Sequence, residues 1–445
     1  MRLTLLGGGG FRVPLVHSAL LRDTHDRRID ELVLHDVTAD RLAAIERILA
    51  QQAAGHDAPP RVSTTTDLDA ALEGADFVFS AIRVGGLEGR TADERVALDL
   101  GVLGQETTGP GGIAYGLRTI PVSLDIAHRV RRQAPAAWVI NFTNPAGMIT
   151  QAMQTVLGDR VVGICDSPLG LGRRAAHALG LPAEQVHFGY SGLNHLGWLQ
   201  RLEHRGEDVL QQLLQRPELL TFEEGQLFGA DWLQSIGAIP NEYLFYYYFT
   251  RDAVAAIKGS AETRGEYLLR SQVEFYAQVA AAPERAYDLW TAARRARDET
   301  YMAEARADDE ERDAEDVAGG GYEGVALALM AAIARGERAS MLLNVRGRGA
   351  LPGLPDDAVV EVPCTVDAGG PRPLAAVPLT GHPLGLVQQV KAVEELTIKA
   401  ALEGDESLAL QAFSLHPLVD SVTTAKTLLA GYRARIPTLD RVFGG

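Results

Sequence analysis

Four consecutive glycines, Gly7 to Gly10, follow the apolar stretch Leu3-Thr4-Leu5-Leu6 and precede a helical pattern that starts near Val13. Strand, glycine turn and helix in that order bring backbone N–H groups and the positive end of a helix dipole to one point, where a pyrophosphate is bound. The match to Gly-x-Gly-x-x-Gly is imperfect, because Arg12 stands where the third glycine would be. Glycine turns after strands are common, so the turn alone leaves a plain loop open. The next strand, Glu31-Leu32-Val33-Leu34-His35, ends on Asp36. An acid there accepts hydrogen bonds from an adenosine ribose diol and repels a 2′-phosphate, so the combination predicts NAD rather than NADP. Gly7, Gly8, Gly9, Gly10, Phe11 and Asp36 are the candidate cofactor contacts.

Further strands are predicted at 76–81, 138–141 and 161–164, with helices at 39–52 and 122–132. Strands alternating with helices predict a Rossmann-like, doubly wound parallel sheet over residues 1–190. Beyond residue 190 helical segments dominate, as at 208–214 and 263–281. One strand-like piece at 358–366 lies between Gly- and Pro-rich loops, and two helices are predicted around Ser414-Leu415-His416-Pro417. Residues 191–445 are read as a mainly helical α+β C-terminal domain holding substrate and metal. Residues 303–316 are strongly acidic and run into Gly319-Gly320-Gly321. A solvated helix and loop is the first reading of that stretch; a lid over the active site is the second.

The net charge of −16 argues against nucleic acid or an anionic membrane as partner. It leaves an anionic substrate open, since a few arginines in a pocket outweigh the average field. Cys165 and Cys364 are the only cysteines, which points to a reducing compartment. Met1-Arg2 runs straight into a strand with no signal-peptide pattern, and the longest apolar run, near 325–334, is too short to span a bilayer. A cytoplasmic protein is expected.

Cys165-Asp166-Ser167-Pro168 and Gly192-Leu193-Asn194-His195 carry a thiol and an imidazole thirty residues apart. Neither belongs to a CxxC or HExxH pair. If they meet in space they offer a soft and a borderline ligand to a divalent metal and leave positions for substrate. A lone Cys after a strand is more often core, and a lone His more often a satisfied polar group, so the spacing alone leaves both readings. Cys364, in Val-Pro-Cys-Thr, reads as inert core.

These motifs stand in a longer series. Ser80-Ala81-Ile82-Arg83-Val84-Gly85-Gly86 is followed by Gly104-Gln105-Glu106-Thr107-Thr108-Gly109-Pro110-Gly111-Gly112, then Asn141-Phe142-Thr143-Asn144-Pro145-Ala146. After the Cys and His motifs comes Pro240-Asn241-Glu242-Tyr243-Leu244. In this order, over nearly the whole chain, they resemble glycoside hydrolase family 4, the NAD- and divalent-metal-dependent glycosidases. That family is built on the nucleotide-domain plan of lactate and malate dehydrogenases. NAD-dependent glycosidases depart from the usual two-carboxylate scheme. The resemblance implies that NAD takes hydride from C3 of a sugar and the resulting ketone acidifies C2. A base removes the C2 proton, the aglycone leaves by elimination, water adds, and the ketone is reduced again.

The resemblance implies Cys165 and His195 as ligands of a metal such as Mn, which would polarise the C2 and C3 oxygens. It implies Tyr243 as the base for the C2 proton. An ordinary tyrosine titrates near ~10, so a metal or cation must assist it. Tyr246, Tyr247 and Tyr248 read as packing. Asp166 and Glu106 are candidates for leaving-group assistance or for holding water. Arg90, Asn144, Asn194 and Arg264 match substrate-contacting positions. Arg83 and Asn141 are candidate cofactor contacts, Arg83 with the sugar as its other option. The substrate implied is a phosphorylated disaccharide or glucoside, and a homo-dimer or homo-tetramer is implied.

Two positions depart from the family pattern. Gly10-Phe11-Arg12 stands where the family has Ser with a nearby Thr or Ser, so Arg12 is placed to reach an anion. Asp166 occurs in the 6-phospho-α-glucosidases, where many 6-phospho-β-glucosidases have Asn; the galactosidase and glucuronidase branches have His. The segments Gly85 to Arg90 and Asn141 to Pro145 resemble the β branch, and 6-phospho-β-glucosidase is the reading chosen. The competing classes are an NAD-dependent hydroxyacid or polyol dehydrogenase, which would release NADH, and a nucleotide sensor, which would need neither metal ligands nor base.

Overall fold

A computed structural model describes residues 1–299 and 321–444. The acidic stretch 303–316 lies outside the described residues. Strands β1 (Arg2–Leu6), β2 (Glu31–His35), β3 (Arg61–Thr65), β4 (Phe77–Ser80), β5 (Trp138–Asn141) and β6 (Val161–Gly163) pair in parallel in the order β3-β2-β1-β4-β5-β6. Strand order reverses between β1 and β4, and ligands of such sheets bind in the crevice beyond the strand ends there. The glycine turn leaves β1 at this point and Ala81 leaves β4 beside it.

Alternation along each strand builds the two cores. Leu3, Leu5, Phe77, Phe79, Ile140 and Val162 join one buried cluster with Leu42, Ile45 and Ile48 of the helix Ala39–Gln52. Leu6, Val78, Val139 and Val161 face the other way, against Ile113, Leu117 and Ile120 of the helix Pro110–Gln133 and Ile149 and Met153 of the helix Ala146–Leu157. Period-two alternation between two helical layers is what a doubly wound sheet requires. Leu3, Leu32 and Leu34 are fully buried, each worth roughly 1.5–3 kcal/mol.

The sheet does not stop at β6. Seven strands from the second half extend it: β7 (Val186–Leu193), β8 (Leu196–His204), β9 (Glu207–Asp208), β10 (Ile239–Pro240), β11 (Ala339–Arg346), β12 (Val359–Asp367) and β13 (Gly370–Pro373). The order continues β6-β11-β12-β7-β8-β10, all antiparallel, in a 13-stranded sheet. Residue 190 falls inside β7, so one sheet runs through both halves. Four helices, Gly381–Glu403, Glu406–Leu415, Val422–Arg435 and Pro437–Phe443, close the chain, and the first three send Val393, Phe413 and Tyr432 into the core beneath the parallel strands. No described helix is long and apolar enough to cross a membrane.

Candidate active site

The turn after β1 is shaped by its glycines. Gly7 has φ +85°, and a Cβ there would lie 2.6 Å from the Ala81 carbonyl oxygen, so β1 and β4 close on it only without a side chain. The N–H groups of Gly7 and Gly8 donate to the His35 carbonyl at 2.9 and 2.8 Å. Asp36 Oδ2 accepts from the Gly9 N–H at 3.0 Å and Oδ1 from the Thr38 N–H at 3.1 Å. The second half of the chain holds this turn from outside. Tyr276 donates its hydroxyl to the Gly9 carbonyl at 2.6 Å, Trp290 its indole N–H to that of Phe11 at 2.8 Å, and Tyr322 its hydroxyl to that of Arg12 at 3.0 Å. Phe11 is buried, edge-on to Phe275.

A cavity of about 1750 Å³ opens from the turn. Gly7, Gly10, Phe11, Asp36, Arg83, Arg90, Glu106, Asn144, Cys165, Asp166, Asn194, His195, Tyr243 and Arg264 all line it. Asn141 does not. Its fully buried amide donates to the carbonyls of Thr143 and Ala146 and to Thr150 Oγ1, at 3.1, 3.3 and 3.2 Å, and its Oδ1 accepts from the Thr143 N–H. The side chain expected as a cofactor contact instead braces the loop that carries Asn144. Gly8 and Gly9 shape the turn without lining the cavity.

Cys165 lies two residues beyond β6, at the head of the helix Ser167–Ala178. Burial pushes its thiol well above the usual value, and the carboxyls of Glu361, Asp166 and Glu242 push the same way. A divalent metal held by this thiol would reverse that shift and favour the thiolate. His195 sits in the turn between β7 and β8 with φ +62°. Burial lowers its pKa to about 4, so it is the neutral imidazole that binds metals. Thr107 Oγ1 lies 3.2 Å from Nδ1, a contact that orients the ring. Among the described residues no group of three or more His, Cys, Asp or Glu converges as a metal site. Cys165 and His195 both line the cavity, and a thiolate and a neutral imidazole are a donor set that suits a divalent metal whose other positions water or substrate would fill. Tyr243 stacks on His195, ring centroids 3.7 Å apart and ring planes nearly parallel. Tyr248 accepts from the Trp198 indole at 3.0 Å, a packing role, and Tyr246 is buried and forms part of the cavity wall. Cys364 is fully buried and its thiol is pushed up to about 12.

The far end of the cavity is cationic. Arg90 donates through Nη1 to Glu106 at 2.7 Å and through Nε to Glu94 at 2.9 Å, and Arg83 pairs with the other Glu106 oxygen. Burial raises the Glu106 pKa, but Arg83 and Arg90 outweigh it and bring the carboxyl down to about 2. Glu106 is a candidate acid or base, and as an ionised carboxylate between two guanidinium groups it also braces them. Behind it, Arg118 pairs with buried Asp93 and donates to the Val84 carbonyl at 3.0 Å, fixing the loop after Arg83. Glu94 also accepts from the Gly265 N–H at 2.8 Å. That bond seats the N-terminus of the helix Arg264–Ala281, with its Thr263–Glu266 capping box, so that Arg264 reaches the cavity.

Arg297 lines the same end and escaped the sequence reading, because it is one of several arginines on the helix Ala286–Glu299 and carries no motif. Burial lowers its pKa well below the ordinary value, with repulsion from Arg12, Arg264, Arg90 and Arg83 adding to it. Guanidinium keeps its proton under such conditions. Arg12, Arg83, Arg90, Arg264 and Arg297 all line the cavity, an arrangement whose mutual repulsion an anion would relieve.

Fold and site together define a dinucleotide-dependent enzyme with an open metal corner and an anion-binding end. Comparison with known proteins narrows this. Residues 2–181 match family 4 glycosyl hydrolase and residues 190–419 match the family 4 glycosyl hydrolase C-terminal domain. The chain belongs to glycoside hydrolase family 4. A probable 6-phospho-β-glucosidase of Bacillus subtilis is 32% identical over 440 residues, covering 96% of this chain and 95% of the relative. The 6-phospho-β-glucosidase of Thermotoga maritima, solved with manganese, NAD+ and glucose 6-phosphate, superposes with a TM-score of 0.81 at 28% identity, covering 98% of both chains. Malate dehydrogenase of Plasmodium falciparum shares the fold at a TM-score of 0.50 and 14% identity, covering 93% of this chain and 99% of that one.

Proposed function

We propose that this glycosidase hydrolyses 6-phospho-β-glucosides. One observation carries the reading: the glycine turn with Asp36, the Cys165–His195 corner with Tyr243, and the arginine end all line one cavity. As a family 4 enzyme it depends on NAD and a divalent metal, as the manganese- and NAD-bound relative indicates. When bound, NAD supplies the hydride acceptor at C3 and the metal supplies Lewis acidity to the neighbouring oxygens.

The chain's own residues do the rest. Asp36 and the turn hold the dinucleotide. Cys165 and His195 hold the metal, with Thr107 fixing the imidazole. Arg90, Arg264, Arg297 and Arg12 bind the C6 phosphate, and Glu106 keeps Arg83 and Arg90 in register. Tyr243 takes the proton from C2. Asp166 serves the leaving group, and Asn144 and Asn194 contact the sugar.

Asp166 in the cavity favours a second reading, the α-glucoside. Elimination begins at C2, so the leaving-group side sets the anomeric preference. Nitrophenyl 6-phospho-β- and α-glucosides, assayed with and without NAD, Mn²⁺ and a reductant, decide between them. Faster turnover of the β anomer, with no net NADH and none without NAD, is expected. Faster α turnover overturns the β reading, and activity independent of NAD overturns the mechanism.

A division near residue 190 is retained for the functional halves, supported by family matches that end at 181 and resume at 190. A cytoplasmic location is supported by two buried free cysteines. A homo-dimer or homo-tetramer is supported by Leu402, Leu415 and Val422, each more than half exposed on the C-terminal helices.

A further inference from the structure

The two metal ligands are carried by strands that do not touch. Cys165 follows β6 and His195 follows β7, and in the sheet β11 and β12 lie between these strands. The ladder pairing across this seam is narrow. β11 meets β6 through one residue pair, Asn344 opposite Gly163, and β12 meets β7 through one pair, Glu361 opposite Gly192. Asn344 and Glu361 are themselves directly opposed on β11 and β12. Gly163, Asn344, Glu361 and Gly192 thus form one row across the sheet, two residues before Cys165 at one end and three before His195 at the other.

Side chains lock the row. Asn344 Nδ2 donates to Glu361 Oε1 at 2.7 Å, and Asn194 Nδ2, next to His195, reaches the same oxygen at 3.4 Å. The Tyr190 hydroxyl of β7 donates to Glu361 Oε2 at 3.2 Å. Asn344 and Tyr190 are fully buried and Glu361 is 1% exposed. A Cβ on Gly163 would stand 2.8 Å from Asn344 Cβ, so β6 sits hard against the row. The hydrogen bonds Glu361 receives come from two amides and a phenol. A carboxylate buried this way is costly, and an apolar residue would serve packing at lower cost.

We propose that Glu361, with Asn344, is a positioning residue that sets the separation and orientation of the Cys165 and His195 ligands. Partners behind metal ligands typically change metal affinity by about 10- to 100-fold when removed. The inference rests on Cys165 and His195 being the ligands.

The test is Mn²⁺ binding to the NAD-loaded protein, read from the electron paramagnetic resonance of free Mn²⁺, with NAD affinity followed by protein fluorescence. Glu361→Ala is expected to weaken Mn²⁺ binding roughly 10- to 100-fold and to leave NAD affinity within about twofold. Glu361→Gln, which keeps the shape and an accepting oxygen, is expected to restore most of it. Tyr190→Phe, which removes one donor and keeps the packing, is expected to weaken Mn²⁺ by about 3- to 10-fold, and it carries the test if Glu361→Ala does not fold. Unchanged Mn²⁺ affinity in Glu361→Ala or Tyr190→Phe overturns the proposal, as does a Gln variant no better than Ala. Cys165→Ser separates the two failures. If it binds Mn²⁺ like the wild type, the ligand assignment falls. If it loses Mn²⁺ while Glu361→Ala keeps it, only the strut falls.

Discussion

Glu106→Gln tests whether the cationic end is built around a fixed negative charge. The Glu106 side chain is 13% exposed and paired to Arg83 and Arg90. Burial alone would raise its pKa, yet the two guanidinium groups lower it from 4.5 to about 2. At 1.36 kcal/mol per pH unit that displacement corresponds to about 3 kcal/mol favouring the charged form in the fold. Unfolding entropy of about 2.1 cal/mol/K per residue then gives a melting temperature about 4 °C lower for the glutamine variant at pH 7. The sign with pH follows from linkage. A depressed carboxyl contributes stability above its unfolded pKa and loses it as pH falls toward the folded value. The gap between wild type and variant is therefore full at pH 7 and narrows to about 2 kcal/mol near pH 3.5. Differential scanning fluorimetry across pH reads it directly. Adding glucose 6-phosphate narrows the gap at pH 7, because its phosphate replaces part of the missing charge. A variant that melts within about 1 °C of wild type at pH 7, or a gap indifferent to pH, would refute the reasoning.

Two other substitutions probe the remaining corners. Tyr243→Phe should cut kcat by about 10²- to 10⁴-fold with NAD and Mn²⁺ affinities preserved, and should abolish exchange of the C2 hydrogen with deuterated water; retained exchange assigns the base elsewhere. Gly7→Ala places a Cβ 2.6 Å from the Ala81 oxygen at φ +85° and should cost about 1–3 kcal/mol of stability together with NAD affinity, read by thermal melts and fluorescence titration. An alanine variant that binds NAD normally would show that the turn has room to relax.

The parallel half of the sheet was legible because its signals are local. Apolar runs end in turns, Gly7 to Gly10 and Asp36 fall at the ends of β1 and β2, and helices fill the intervals. β3 was not foreseen: Arg-Val-Ser-Thr-Thr is polar and sits at the sheet edge, where burial does not demand an apolar run. The hairpin β7–β8 escaped for a different reason. Gly189, Gly192 and Gly197 interrupt its pattern, and they are there because the strands crowd against Tyr190, Arg201 and Leu196. The motifs pointed to Cys165, His195 and Tyr243, which line one cavity, since each motif is a short run read as a unit. What they could not show is how the motifs are held: the Glu106 brace and the placing of Arg297 depend on partners far off in sequence, and the Asn141 amide clamp on a loop fold that composition does not reveal. The same residue type served opposite ends. Glu106, read from its motif as an acid–base group, is paired to Arg83 and Arg90, while Glu94, unremarked in the sequence, joins Arg90 to the helix that carries Arg264.

Tyr276, Trp290 and Tyr322 give their donors to the carbonyls of Gly9, Phe11 and Arg12, so the dinucleotide turn is finished by residues more than 250 positions away. A chain cut after residue 190 would keep every glycine of the turn and lose all three of these donors. Docking of the second half and occupancy of the turn are then linked equilibria: whatever factor one adds to the other's affinity is returned in full. Cofactor concentration therefore acts on the cohesion of the two halves, and a substitution at Tyr276, Trp290 or Tyr322 should be felt at the nucleotide before it is felt at the sugar.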